Sequence, residues 1–226
     1  MCANDSDVTT DRRTVLKGMG SAIGATALAG CSSVLGSSGG SQLRYLQVLA
    51  PTTLDPIELD DPWSAQPAGL VFEGLYDYDR DLQPVPVLAA GQPTVSDDGR
   101  TYTVDLAAEA QFGDGSPVTA EDVAYSFDPA VYEAADSPNR WQVEMIDEIR
   151  TPDDRTVEFH LRYPYPAFAH TLTRPVVPKA HREQSPESFG STSPVGSGPY
   201  EVTHFEAGSY VDLAASDDYW RDVDLP

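Results

Sequence analysis

Two cysteines and two lysines are all that the 226 residues contain of either type. Cys2 and Cys31 both precede the expected folded body, so that body has neither a disulfide framework nor a thiolate metal cluster. The basic side is 12 Arg with Lys17 and Lys179, against 24 Asp and 12 Glu, a net charge of −22. So acidic a chain repels phosphate backbones and anionic membranes, which excludes nucleic acid as a partner. Long apolar runs are missing as well. The mildest candidate, Gly18–Gly30, is thirteen residues rich in Gly, Ala, Ser and Thr, short of the roughly 20 that a membrane helix needs.

Catalytic patterns are also wanting. There is no Walker loop, no Gly-x-Ser-x-Gly elbow and no HExxH pair, and His160, His170, His181 and His204 have no metal-ligand spacing. They read as surface or half-buried side chains. The stretch "DGSPVTAED" (Asp114–Asp122) lacks the twelve-residue calcium-loop pattern and reads as a turn followed by a helix cap. The expectation is therefore no metal, no cofactor, and binding in place of turnover.

What the chain does have is 40% apolar residues, enough for a packed core, under a densely acidic surface. Such a surface repels itself at low ionic strength, and a Debye length of about 3 Å at 1 M salt removes that penalty. The composition is that of a halophile's protein.

"DRRTVLKGMGSAIGATALAGCSS" (Asp11–Ser33) contains a Gly-x-Gly pattern, but no strand precedes it, as a dinucleotide-binding turn would require. Its parts fit a targeting segment instead. Arg12, Arg13 and Lys17 form a charged start, Gly18–Ala27 a mild apolar stretch, and "LAGC" (Leu28–Cys31) a small-residue cleavage site ending in cysteine. This resembles a twin-arginine signal peptide with a lipobox. Asp11 and Val15 depart from the twin-arginine pattern, which leaves the general export route open. The resemblance implies removal of residues 1–30 and lipidation of Cys31, with anchoring at the outer face of the cytoplasmic membrane worth about 0.8 kcal/mol per buried methylene. Residues 31–42 would be a Gly/Ser tether, and residues 43–226 the folded part.

Within that part the patterning predicts a first strand at Leu43–Leu49 and a helix at Ala68–Leu75. Leu82–Gly91 is too proline-rich for regular structure. A hairpin is expected over Thr94–Leu106, and a helix capped by Thr119 with Asp122 three positions on. Two strands follow in Val143–Leu161 around Pro-Asp-Asp, then a short helix in Tyr163–Leu172. A final hairpin over Gly196–Trp220 turns at Glu-Ala-Gly. The class is α+β, or mixed α/β.

Seven stretches stand in one order: "LDP" (Leu54–Pro56), "FEGLYDYDRDLQPVPVLA" (Phe72–Ala89), "SDDGRTYTVDL" (Ser96–Leu106), "QFGDGSPVTAEDVAYSF" (Gln111–Phe127), "IDEIRTPDDRTVEFHLRYPYPAF" (Ile146–Phe168), "VVPKAH" (Val176–His181) and "GSGPY…YW" (Gly196–Trp220). Together they resemble solute-binding protein family 5, the substrate-binding lipoproteins of ABC importers for peptides, dipeptides and nickel. The resemblance implies a periplasmic-binding-protein-like (type II) bilobed trap that closes on a peptide or other small solute and delivers it to ABC permease subunits. Such closure needs differential affinity and no chemistry, so no enzyme is expected.

Family members run to about twice this length. The resemblance therefore implies the first lobe only, weak or inactive by itself, with "GSGPY" feeding a strand back into the first sheet. Site residues carried over by position are Asp60, Asp61, Pro62, Trp63 and Ser64 of "DDPWSAQ", and Asn139 and Trp141 of "SPNRW". The indoles would stack on a ligand and the aspartates meet a cation or amine. Against this stands a plainer reading, in which Trp63 is a packed loop anchor and the aspartates are halophilic surface. The alternative function is a short surface lipoprotein acting as a structural or partner-binding module.

Overall fold

The computed structural model describes residues 47–192 and 194–222. Arg12, Arg13, Cys31 and the tether lie outside the described residues. Of the expected first strand only residues 47–49 are described, and they form none. Val48 and Leu49 are 82% and 59% exposed, with no strand paired to them among the described residues.

The first helix, α1 (Pro62–Val71), starts six residues before the expected Ala68. Its start is chemical: Asp61 caps, and Pro62 at the first helical position has a preset φ and no N–H to leave unpaired. It ends at Phe72, because Gly74 is drawn into a bridge with Pro175. Strands β1 (Tyr76–Tyr78) and β2 (Pro84–Pro86) then pair antiparallel, which corrects the reading of Leu82–Gly91 as irregular. The ladder runs through Val87 N to Leu75 O and Asp79 N to Gln83 O, both 3.0 Å. Pro84 and Pro86 fall on the alternate positions, where no ladder donor is required.

The hairpin β3 (Thr94–Val95) and β4 (Thr101–Asp105) forms as expected, with Gly99 at φ +66° in its turn. Helix α2 (Ala120–Phe127) begins in a full capping box between Thr119 and Asp122, and α3 (Pro129–Ala134) follows under an Asp128 cap. Strands β5 (Ile146–Asp153) and β6 (Thr156–Leu161) complete an antiparallel sheet in the order β3-β4-β6-β5. Alternation along β4 and β6 turns Tyr102, Val104, Val157, Phe159 and Leu161 inward, where Val123 and Phe127 of α2 join the same core.

Short helices α4 (Phe168–Thr171) and α5 (Lys179–Gln184) close that core. Rings meet edge to face along it: Phe127 on Phe159 at 5.4 Å, Phe159 on Phe168 at 5.3 Å, and Phe168 on Tyr102 at 4.9 Å. Each such pair adds about 0.5–1.5 kcal/mol beyond its buried area.

The last hairpin, β7 (Tyr200–Glu206) and β8 (Tyr210–Ala215), turns at Gly208 with φ +73°. Among the described residues β7 pairs with β8 alone and does not rejoin the first sheet. The "GSGPY" glycines serve close approach instead. Gly198 N donates to Val71 O at 2.8 Å, and a Cβ on Gly196 would stand 1.9 Å from that same oxygen.

Two carboxylates, one buried and one half-buried, fasten these parts. Asp55, fully buried, accepts from Arg182 Nε at 2.8 Å and from Ile57 N at 2.9 Å, while Arg182 Nη1 donates to the Tyr125 hydroxyl at 3.0 Å. Burial pushes the Asp55 carboxyl above its ordinary range, against the pull of Arg182. Glu73 accepts from the Tyr219 hydroxyl and from Trp220 Nε1 at 2.9 Å, and forms an ion pair with Arg221 at 3.7 Å. Its carboxyl too is raised by desolvation, with those three partners and Ser197 opposing.

Removing the guanidinium in Arg182→Met would strand the Asp55 charge and cost about 3–5 kcal/mol in urea unfolding. The double variant with Asp55→Asn should recover much of that loss. Glu73 binds its proton more tightly folded than unfolded, so wild-type stability falls as pH rises from about 4.5 through its elevated pKa. Unfolding across that window should show this component in the wild type and not in Glu73→Gln.

Candidate functional site

The "LDP" turn is sunk into the core. Leu54 N donates to Gly190 O at 2.8 Å, a Cβ on Gly190 would meet Thr53 Oγ1 at 2.3 Å, and Asp55 is locked by Arg182. From this anchor the chain emerges as residues 57–61, and a second segment fastens its carbonyls. Ser137 Oγ donates to Ile57 O, and Asn139 Nδ2 donates to Leu59 O at 2.6 Å. The two segments that the sequence singled out, 80 residues apart, are thus joined side by side.

A third fastener is Arg174. Its Nε and Nη2 donate to the Tyr132 hydroxyl at 3.1 and 3.0 Å, its Nη1 donates to Gln142 Oε1, and Nη2 reaches Pro56 O at 3.5 Å. The guanidinium also sits 5.1 Å from the Tyr132 ring centroid. It ties the base of the loop to α3 and to the 3₁₀ turn Arg140–Gln142. Sequence reading missed Arg174, Ser137 and Gln142, whose roles depend on partners distant in the chain.

Several of the expected site side chains are occupied structurally. Asp61 Oδ1 accepts from Trp63 N and Ser64 N, each at 2.8 Å, and its other oxygen from Thr52 Oγ1 at 3.4 Å. Burial works against its charge, but hydrogen bonds from Ser64, Trp63 and Thr52 hold the carboxyl below the ordinary range. Ser64 is fully buried and accepts from Thr52 N at 2.9 Å. Pro62 is exposed at the helix start. Asn139 spends its amide on Leu59 O and its Oδ1 on Gln142 Nε2 at 2.8 Å.

What faces water is Asp60, the half-buried Trp63 and Trp141, which is 65% exposed. Glu58 lies two residues before Asp60, half-buried, 3.5 Å from Arg182 and raised by burial and by Asp55. Such a rim offers a carboxylate for a positive charge and indole faces for flat or apolar groups. No cluster of three or more metal-ligating side chains occurs among the described residues. The histidines are engaged elsewhere: His181 with Asp114 at 3.2 Å, His160 with Thr101 at 3.3 Å, and His170 and His204 stacked on Tyr78 and Tyr210.

Known proteins resemble this chain in sequence and in fold. Residues 83–226 match the family model described as bacterial extracellular solute-binding proteins, family 5 middle. Protein XP55 of Streptomyces lividans is 34% identical over 225 residues, which cover 94% of this chain and 40% of that protein. The glutathione-binding protein GsiB of Pectobacterium atrosepticum is 32% identical over 75% of this chain and 33% of its own. Among solved structures, the peptide-binding pheromone receptor PrgZ superposes with a TM-score of 0.71 at 26% identity, over 76% of this chain and 38% of PrgZ. The chain thus spans about two fifths or less of the relatives it matches. Its mixed α/β architecture is that of a first-lobe portion of periplasmic-type binding proteins, and by sequence and fold alike the chain belongs to the extracellular solute-binding proteins of family 5.

Proposed function

We propose that this chain provides one wall of the ligand cleft in an extracytoplasmic substrate-binding component of an ABC importer for peptides or similar small solutes. The observation that carries the reading is the fastening of residues 57–59 to Ser137 and Asn139, which holds Asp60, Trp63 and Trp141 outward on a rigid base. In this role Asp60 meets an amine or cationic group of the ligand, and the two indoles cover its apolar or planar parts. Asp61, Ser64 and Asn139 are positioning residues, because their polar atoms are already spent within the protein. The relatives named above, one described as glutathione-binding and one as a pheromone receptor that binds peptide, favour the same class of solute.

The export half of the reading rests on the sequence. A signal peptide over residues 1–30, a lipid on Cys31 and the tether 31–42 would hold the body, residues 43–226, at the outer face of the membrane beside a permease. The acidic composition suits a halophile's exterior. Binding of this kind involves no turnover.

Asp61→Ala should lose the α1 cap and cost about 0.5–2 kcal/mol in denaturant unfolding, whereas Asp60→Asn and Trp141→Phe should leave stability within about 0.5 kcal/mol. For the ligand, the purified chain is titrated with glutathione and with di- and tripeptides, followed by tryptophan emission. One wall alone should give a saturable change of weak, millimolar order that Trp141→Phe abolishes and Asp60→Asn weakens. Binding indifferent to both substitutions would refute the placement of the site.

A further inference from the structure

Glu73 stands just beyond the end of α1, at the opposite end of that helix from Asp61 and Trp63. Its side chain is 10% exposed, and both of its oxygens are taken by one short segment, residues 219–221. The Tyr219 hydroxyl donates to one oxygen and Trp220 Nε1 to the other at 2.9 Å. Arg221 stands 3.7 Å away, its guanidinium 5.8 Å from the Trp220 ring centroid. Trp220 Nε1 also reaches Ser197 O at 3.2 Å, while Glu73 N donates to Ser197 Oγ at 3.3 Å. The segment is thus bonded to Glu73 and to the glycine-flanked Ser197, beside which Gly198 N holds Val71 O of the last turn of α1. Among the described residues, every hydrogen bond and ion pair that side chains of 217–222 make outside that segment ends on Glu73 or on the Ser197 carbonyl. The attachment depends on a single carboxylate.

We propose that residues 219–221 are a strap that docks on Glu73 and lifts from it under the control of one proton. Among the described residues, the charged and titratable groups facing that carboxylate are Arg221 and Tyr219, both from the strap itself. Trp220 and Ser197 add neutral donors. The neighbouring segment 174–176 offers Glu73 only the Val176 amide, at its carbonyl, because Arg174 is spent on Tyr132, Gln142 and Pro56. Burial and the nearby Glu73 push the Tyr219 hydroxyl up, so it stays protonated and donating. In the docked state desolvation outweighs these partners and holds the Glu73 carboxyl above its ordinary range. Lifting the strap returns both oxygens to water and the group towards 4.5. A proton is therefore bound more tightly docked than lifted. Docking is firmest below about pH 4.5 and loosens as pH rises through the elevated pKa, with a tenfold difference in opening for each pH unit between the two titrations.

Trp220 reports on the strap directly. In Trp63→Phe/Trp141→Phe it is the one indole left of the chain's three. Acrylamide quenching of its emission is followed in the full chain between about pH 4 and 8 at fixed ionic strength, with circular dichroism as the check on folding. Quenching should rise severalfold with pH as a one-proton titration. Glu73→Gln, which keeps an acceptor and carries no charge, should stay docked and weakly quenched at every pH, while Glu73→Ala should be strongly quenched throughout. Quenching that is flat or falls as pH rises, a pH response that survives Glu73→Gln, or a Trp220 still shielded in Glu73→Ala would each overturn the proposal.

Discussion

The Asp55–Arg182 pair is the constraint on which the proposed ligand face depends. A carboxylate with no exposed surface is tolerable only if every lone pair that needs a partner has one. Here the partners come from α5 and from the amide two residues ahead, so neither the "LDP" turn nor α5 can shift without leaving a charge unpaired in the core. The cost of burial is set against placement. Because Asp55 cannot move, the five residues after Pro56 leave the core at a fixed point, and Ser137, Asn139 and Arg174 need only fasten carbonyls that are already in position. The rim carrying Asp60, Trp63 and Trp141 inherits its geometry from a bond it does not touch.

Arginine makes up 12 of the chain's 14 Lys and Arg residues, and two of the twelve are used selectively. Arg155 donates to the carbonyls of Ala107, Ala108 and Val118, and Arg174 to a phenol, an amide and a carbonyl. These bonds all end on neutral oxygens, in a chain with 36 acidic residues. A guanidinium presents five donors in a fixed fork, which suits it to gathering neutral acceptors from several loops. Bonds of this type are less exposed to salt screening than surface ion pairs such as Arg150–Glu148. The acidic surface and the arginine-tied interior are thus two separate electrostatic arrangements, one dependent on ionic strength and the other largely not.

Much of the fold was legible where local chemistry decides it. Thr119 with Asp122, the glycines at 99, 115 and 208, and the alternation in β4 and β6 each specify structure within a few residues, and each formed as read. The start of α1 was equally local but misread: apolar periodicity drew attention to Ala68, while Asp61–Pro62 already carried the cap and the first-turn proline. Pro84 and Pro86 misled because a proline count says nothing about which edge their missing donors face. For the candidate site, the two segments singled out in the sequence do come together, but the roles of their side chains were not legible. Asp61 and Asn139 read as ligand groups until their partners, a helix end and a carbonyl 80 residues away, showed how their polar atoms are spent. Asp55 lies within the quoted "LDP" stretch, but nothing there points to Arg182, 127 residues away.

The prolines of the β1–β2 ribbon also decide what its outer margin can accept. With Pro84 and Pro86 turned away from β1, that margin displays oxygens but lacks amide hydrogens at those positions, and Gln92 already leans on the Pro84 oxygen at 3.4 Å. A strand from another molecule arriving there finds acceptors and too few donors, so it cannot zip on. The two prolines thus act as a chemical full stop, sparing this margin from the edge-to-edge growth that turns sheets into fibrils.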